Sequence, residues 1–155
     1  MSEMEHAGTE DLTVIETPDE LNKVKKHEKI GVIMQTTQIK SNSKAIIAGL
    51  LDKAKEILIE NTICRVTENR QDVTGQLSKN VDVMLIVGGK NSANTAHLAQ
   101  IARQQNNRTY HIETYREIDR AWFNLPGLTV GISGGASTPE KDISDVKDYI
   151  ENFKF

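Results

Sequence analysis

The chain has 155 residues, with 19 lysines and arginines against 22 aspartates and glutamates, and therefore a formal net charge of −3. Hydrophobic residues make up 37% and charged residues 26%, which is typical of a globular protein with one domain or two small ones. No basic domain of the kind that binds nucleic acid is present. Apolar runs are far shorter than the roughly 20 residues of a membrane-spanning helix, which excludes that class.

The chain contains one cysteine, Cys64, so an internal disulfide is excluded. Residues 1–10 are polar and acidic, unlike a signal or transit peptide, and we predict that they are disordered. Both features favour a cytoplasmic location.

The first half of the chain predicts strands that alternate with helices. In chain order, the predicted elements are a strand at Leu12–Ile15, a helix that starts at Thr17–Glu20 and ends in Lys25, Lys26 and His27, a strand at Lys29–Met34, a helix at Ala45–Lys55 and a strand at Glu56–Glu60.

The second half continues the alternation. Its predicted elements are a helix at Glu68–Ser78, a strand at Val81–Val87, a helix carrying Leu98, Ile101 and Ala102, a strand at Thr109–Ile112, a short helix at Ile118–Trp122, a strand at Leu128–Ile132 and a helix carrying Ile143, Val146 and Ile150. The pattern predicts an α/β fold of parallel, doubly wound sheets with helices on both faces. A break near Asn61 predicts a boundary between two small, similar lobes.

Four loops at the carboxyl ends of predicted strands hold unusual polar residues. They are Thr36-Thr37, Thr62-Ile63-Cys64, Gly88–Asn94 (GGKNSAN) and Ser133–Thr138 (SGGAST). In open α/β sheets, ligands bind outside the carboxyl ends of the strands. Because parallel strands run in the same direction, we expect all four loops at one edge.

Two of these loops have the composition of an oxyanion site. Glycine lets backbone N–H groups approach a ligand closely, and Ser92, Asn94 and Ser137 offer neutral donors where a helix begins. Phosphate or diphosphate is the natural ligand. The alternative is that these three residues are plain helix N-caps. Neither loop is a Walker sequence or a dinucleotide fingerprint.

For the cysteine, for Lys90 and for the histidines, the sequence allows both a functional and a purely structural interpretation. A lone cysteine is commonly a buried small hydrophobe, yet Cys64 lies in a polar stretch where Arg65 and Arg70 would favour its thiolate. Lys90 is either a phosphate ligand or a solvated loop lysine. The four histidines show no metal-ligand spacing, and we predict surface or cap positions for His6, His27, His97 and His111.

Four segments in this order together resemble the LytB family: MQTTQ (34–38), TICRVTENRQ (62–71), VMLIVGGKNSANT (83–95) and VGISGGASTP (130–139). The members of this family are the 4-hydroxy-3-methylbut-2-enyl diphosphate reductases. The resemblance therefore implies a fold of three similar α/β lobes around a four-iron four-sulfur cluster. Their reaction is the reductive dehydroxylation of an allylic diphosphate to isopentenyl and dimethylallyl diphosphates, in non-mevalonate isoprenoid synthesis. Ferredoxin or flavodoxin is the implied electron source.

The resemblance also implies roles for single residues. Cys64 would be a cluster ligand, the third of the family's cysteines. Thr36 would hydrogen-bond near the substrate hydroxyl and Thr67 would lie close to the cluster, which makes both catalytic candidates. Ala93 stands where the family often has a second serine. The implied substrate-binding residues are Ser92, Ala93, Asn94, Ser137 and Thr36.

The chain departs from the family pattern in its first part. No residues match the first lobe, with its two cluster cysteines and two diphosphate-binding histidines, or the His-Pro-Glu motif that delivers a proton. We therefore assign residues 11–60 to a partial second lobe and residues 61–155 to the third. One cysteine cannot hold a cluster unaided.

Three hypotheses follow. The chain is part of a truncated or split reductase that needs a first-lobe chain for turnover, or a non-catalytic module that binds a diphosphate or another anion, or a relic with neither property. The family resemblance favours the first, with no turnover expected from this chain alone.

Overall fold

A computed structural model of the chain describes residues 12–152. Two compact units succeed each other along the sequence, one ending at Cys64 and the other beginning at Arg65. The predicted disorder of residues 1–10 lies outside the described residues. Within residues 12–152, no helix has the length and apolar character needed to cross a membrane.

The first unit is a β–α–β arrangement. Its elements are a 3₁₀ helix at Pro18–Lys23, β1 at His27–Ile33, α1 at Lys40–Leu50 and β2 at Ala54–Glu60. The two strands are parallel, with Gly31 opposite Leu58 and Ile33 opposite Glu60. Ile46 and Leu50 of α1 are buried.

Two predictions for the first unit are wrong. Leu12–Ile15 forms no strand; Leu12 and Val14 are exposed, and the segment pairs with no described strand. The helix predicted to reach His27 is a short 3₁₀ helix, because Val24 adopts an extended conformation after Lys23 and His27 already belongs to β1. The helix predicted at Ala45–Lys55 is present but lies nearer the amino end, at Lys40–Leu50, and Ala54 and Lys55 belong to β2 instead.

The second unit is a three-stranded parallel sheet between helices. Its strands are β3 (Val83–Val87), β4 (Thr109–Ile112) and β5 (Val130–Gly134), in the order β4–β3–β5. Its helices are α2 (Arg65–Lys79), α3 (Ala93–Gln105) and α4 (Glu140–Glu151), with short 3₁₀ helices at Tyr115–Glu117 and Arg120–Phe123.

The central strand β3 is fully buried on both faces, as its uninterrupted apolar run predicts. Val83, Leu85 and Val87 join one core cluster, which includes Val146 of α4. Met84 and Ile86 join another, with three residues of α3: Leu98, Ala99 and Ala102. Parallel sheets in an α/β fold are confirmed, and the second unit has the predicted helices on both faces.

Element boundaries in the second unit differ by a few residues. Thr109–Ile112 is confirmed as a strand. The last strand is β5, displaced toward the carboxyl end, and the helix predicted at Ile118–Trp122 is the 3₁₀ turn Arg120–Phe123. The units separate a few residues after Asn61; their assignment to a second and a third lobe stays a prediction.

Truncation of Ile86 tests the core. Ile86→Ala should lower the free energy of unfolding by about 2–5 kcal/mol, because it opens a cavity beside α3. Val73, exposed on α2, gives the control Val73→Ala, which should change it by less than about 0.5 kcal/mol. Urea denaturation followed by circular dichroism measures both; equal losses would contradict the core assignment.

Candidate functional site

Two loops of the second unit meet beyond the end of β3. The carbonyl of Val87 accepts hydrogen bonds from the backbone N–H of Gly135, at 3.3 Å, and from the hydroxyl of Thr138, at 3.0 Å. The loop after β5 is thereby tied to the last residue of β3, at the start of the Gly88–Asn94 loop.

Glycine is required where these loops approach each other. Gly88 has φ +140°, and a Cβ added to it would clash with the Thr138 hydroxyl. A Cβ added to Gly135 would clash with the hydroxyl of Thr95, in the first turn of α3. The loops therefore pack with backbone in direct contact with side chains. We call the loops Gly88–Asn94 and Ser133–Thr138, together with the first turn of α3, the cradle.

Asn94 is the most unusual polar residue of this cradle. It is 8% exposed, and within residues 12–152 neither its Oδ1 nor its Nδ2 has a hydrogen-bond partner. The hydroxyl of Thr95 is likewise buried and unpartnered there. A buried unsatisfied group costs about 1–3 kcal/mol, so such groups side by side at a helix N-terminus indicate a place for a polar ligand.

The N-cap alternative explains one of the three predicted residues. The hydroxyl oxygen of Ser92 accepts a hydrogen bond from the Thr95 N–H at 3.4 Å and caps α3. Asn94 lies inside α3, and the N-cap of α4 is Pro139 rather than Ser137. Asn94 and Ser137 are therefore not caps. Ser137 is exposed, as is Ala93.

Lys90 is engaged within the protein. Its Nζ forms an ion pair with Glu117 at 2.5 Å, and its backbone N–H donates to Glu113 at 2.8 Å. The hydrogen bond raises the pKa of Lys90 and lowers the pKa of Glu117. The Lys90 side chain nevertheless stays 54% exposed, so its two alternatives, a phosphate ligand or a solvated loop lysine, stay predictions.

Two residues that support the loops were missed or misjudged from the sequence. His111 is half-buried on β4, not at a surface or cap position, and its Nε2 lies 2.9 Å from the Gly88 carbonyl oxygen. Arg70 donates from Nη1 to the carbonyl of Gly134 at 3.0 Å and so connects α2 to the loop. This hydrogen bond differs from the role that the sequence suggested for Arg70, which was to favour the Cys64 thiolate; that role stays a prediction. A partner 64 positions away leaves no local sequence signal.

The two loops of the first unit also meet. The backbone N–H of Cys64 donates to the carbonyl of Thr36 at 2.9 Å. The Met34 N–H donates to the Thr62 hydroxyl oxygen at 3.2 Å. Cys64 and Thr36 are exposed, so the buried-hydrophobe alternative for Cys64 is wrong.

The predicted site residues are divided between the units. Thr36 and Cys64 belong to the first unit, where the structure brings them together. Thr67 belongs to the second, buried in the first turn of α2. Within each unit the loops form a pair, and the expectation that all four loops lie at one edge stays a prediction.

The chain's own residues do not fit a complete iron–sulfur cluster. Such clusters are held by several thiolates, and the chain has a single cysteine. Within residues 12–152, no group of three or more His, Cys, Asp or Glu side chains is placed to hold a metal ion. Cys64 offers at most one ligand.

Substitution of Gly135 tests the close packing of the cradle. Gly135→Ala should destabilise the protein by about 1–3 kcal/mol, because its Cβ meets the Thr95 hydroxyl. Gly89→Ala is the matched control: its Cβ would have Glu113 as nearest neighbour, at 3.9 Å. Adding Thr95→Ala should recover part of the loss. Equal melting temperatures for both glycine variants would refute the arrangement.

The sequence was similar to one protein family and to enzymes of a single name. The family model described as LytB protein matches residues 2–151. The 4-hydroxy-3-methylbut-2-enyl diphosphate reductase of Aquifex aeolicus is 43% identical over 139 residues, covering 89% of this chain and 47% of the relative. That of Pelobacter propionicus is 44% identical over 143 residues, covering 92% and 51%. The chain spans about half the length of the curated relatives it matches.

Solved structures support the fold. A structure of (E)-4-hydroxy-3-methyl-but-2-enyl diphosphate reductase is 42% identical, with a TM-score of 0.56, over 90% of this chain and 49% of that one. The Plasmodium falciparum E-1-hydroxy-2-methyl-but-2-enyl-4-diphosphate reductase, 20% identical with a TM-score of 0.77, covers 90% and 45% and supports the fold alone.

Proposed function

The chain belongs to the LytB family, and from this premise we propose that it supplies the diphosphate-binding part of a 4-hydroxy-3-methylbut-2-enyl diphosphate reductase. The substrate would be an allylic diphosphate, whose reductive dehydroxylation yields isopentenyl and dimethylallyl diphosphates. The name of the relatives and the anion cradle of the second unit support the same class of ligand.

The observation that carries this proposal is the buried, unpartnered amide of Asn94. Its Nδ2 can donate to a diphosphate oxygen, and the first turn of α3 offers backbone N–H groups beside it. The Gly135 backbone approaches closely enough that a Cβ there would lie 3.5 Å from Asn94 Nδ2. A diphosphate would satisfy groups that the fold leaves without partners.

The cradle would bind the diphosphate through uncharged hydrogen-bond donors, which hold an anion less tightly than a free cation would and so allow the product to be released. Because Glu117 already pairs with Lys90, the cradle presents hydroxyl, amide and backbone groups rather than a free cation. Ser92 and Ser137 would add hydroxyl contacts at its mouth. Ala93 has no hydroxyl, so one donor common in the family is missing here.

The family resemblance supplies the roles that we propose for Thr36, Cys64 and Thr67. Thr36 would hydrogen-bond near the substrate hydroxyl, and Cys64, hydrogen-bonded to Thr36 through the backbone, would be one cluster ligand. Thr67 would lie close to the cluster. The remaining cysteines and the proton donor must come from further polypeptide, and electrons from ferredoxin or flavodoxin. The residues of this chain therefore account for binding, not for electron transfer.

A second function has one observation in its favour. The single cysteine suits a non-catalytic module that binds a diphosphate or another anion and performs no redox chemistry. The two proposals share the cradle and differ in whether Cys64 ever holds iron.

Pyrophosphate binding tests the cradle directly. Asn94→Ala should weaken binding of pyrophosphate by about tenfold or more, which corresponds to roughly 1.4 kcal/mol, in isothermal titration calorimetry. The same variant should unfold no more easily than the wild type, since the side-chain amide of Asn94 has no hydrogen-bond partner within residues 12–152 to lose. Asn91, exposed in the same loop, supplies the control Asn91→Ala, with unchanged affinity. Equal affinity of all three proteins would rule out this cradle as the binding site.

Anaerobic reconstitution with iron and sulfide separates the two functions. We expect no stoichiometric cluster on the chain alone, judged by visible absorption and iron content. With the remaining part of the Aquifex aeolicus relative supplied as a second chain, a cluster should form, and Cys64→Ser should reduce it. A cluster indifferent to Cys64→Ser, with pyrophosphate binding intact, would favour the non-catalytic module.

A further inference from the structure

The last residues of β4 and the turn that follows it hold the start of the loop after β3. The backbone N–H of Gly88 donates to the carbonyl of Ile112 at 2.9 Å, and the Lys90 N–H donates to the Glu113 carboxylate at 2.8 Å. The ring Nε2 of His111 lies 2.9 Å from the carbonyl oxygen of Gly88. The loop is therefore fixed from the side of β4, and both backbone polar groups of Gly88 are engaged there.

His111 donates its hydrogen bond through Nε2. A carbonyl oxygen only accepts hydrogen bonds, so the proton of this contact must be on the ring nitrogen. The ring is half-buried on β4, where His111 pairs with Ile86 in the parallel register. Neutral and protonated imidazole can both donate from Nε2, so the contact needs no charge on the ring. What the contact fixes is the direction of the Gly88 carbonyl.

The direction of the Gly88 carbonyl also sets the direction of the Gly89 N–H. Both belong to one planar trans peptide unit, in which the carbonyl oxygen and the amide hydrogen point in opposite directions. With the oxygen turned toward β4, the Gly89 N–H points away from β4. Because β3 lies between β4 and β5, that is the side from which the loop after β5 reaches the cradle.

The Gly89 N–H is available to a ligand. Within residues 12–152 it has no hydrogen-bond partner, whereas the Gly89 carbonyl accepts from the Ser92 N–H at 3.0 Å. Gly89 is exposed, while Gly88 and Gly135 are buried. The N–H of Gly135 is already bonded to the carbonyl of Val87. An anion in the cradle can therefore reach the Gly89 amide directly.

A peptide unit between two glycines needs an external contact to keep one orientation. Neither Gly88 nor Gly89 carries a Cβ, and Gly88 has φ +140°, so rotation of the peptide that joins them meets little steric resistance. Rotation by half a turn would point the Gly88 carbonyl oxygen into the cradle, where its partial negative charge repels an anion. The hydrogen bond from His111 favours the orientation that presents the N–H instead.

We propose that His111 is a positioning residue for diphosphate binding: by holding the Gly88 carbonyl, it directs the Gly89 N–H into the cradle as a donor to the substrate. The inference rests on the proposed function and adds to it a donor that no side chain supplies. A backbone donor held in place by the fold loses little conformational freedom when the anion binds. His111 does not itself touch the substrate; it acts through the Gly88 peptide.

The direct test observes the Gly89 amide by NMR in protein labelled with ¹⁵N-glycine. The chain has 10 glycines, and Gly89→Ala, whose Cβ would have its nearest neighbour at 3.9 Å, identifies the Gly89 signal by removing it. Pyrophosphate at saturation should move the Gly89 amide proton downfield, because the amide gains a hydrogen bond to a charged oxygen. The Gly88 and Gly135 amides, which already have carbonyl partners, should move less.

Two substitutions of His111 separate the hydrogen bond from the volume of the ring. His111→Phe keeps a planar ring without a donor, and it should weaken pyrophosphate binding about three- to tenfold in isothermal titration calorimetry and reduce the Gly89 shift. His111→Gln supplies an uncharged N–H and should stay within about twofold of the wild type. His27→Phe, at an exposed position of the first unit, is the control and should bind normally. Thermal melting of each variant checks its folding.

Two results would overturn the proposal: a Gly89 amide that stays unmoved while the wild type binds pyrophosphate, or equal affinities of His111→Phe and His111→Gln. The first needs no variant, so a His111→Phe protein that does not fold leaves the test intact. Titration of Asn94→Ala keeps the two proposals apart. Binding that Asn94→Ala weakens, with an unmoved Gly89 amide, refutes the role of His111 alone. A wild type that binds no pyrophosphate refutes the cradle, and this role of His111 with it.

Discussion

The burial of β3 on both faces is the constraint on which the second unit depends. Five consecutive apolar residues, Val83–Val87, have no exposed surface, and their side chains alternate between the α3 and α4 layers. The strand ends at Val87, whose carbonyl then holds Gly135 and Thr138. The same strand therefore anchors the core and sets the position of the loops that form the cradle.

The cradle is a place where the fold leaves buried polar groups without hydrogen-bond partners among residues 12–152. Buried polar groups in proteins are nearly always hydrogen-bonded. Asn94 and Thr95 depart from that rule within residues 12–152, while the glycines beside them admit no side chain. Surrounding contacts offset this cost: Arg70 and His111 hold the backbone of the two loops at Gly134 and Gly88.

The two units differ in how complete they are. The second buries its central strand on both faces, whereas the first exposes Leu58 and Ile33 on a two-stranded sheet. Exposed apolar surface on an ordered sheet is characteristic of an interface. The chain also has a single cysteine, and it spans about half the length of the curated relatives it matches.

The sequence by itself determined the α/β class, most of the elements, the polar loops and the family, because hydrophobic periodicity, glycine and helix-start signals act over a few residues. The strand predicted at Leu12–Ile15 from its β-branched residues was wrong, because this segment pairs with no described strand. Only the tertiary structure decided that Ser92 is a cap while Asn94 and Ser137 are not, that Glu117 pairs with Lys90, and that Arg70 reaches Gly134. These outcomes depend on hydrogen bonds and burial between distant segments, and such contacts exist only once the chain has folded back on itself.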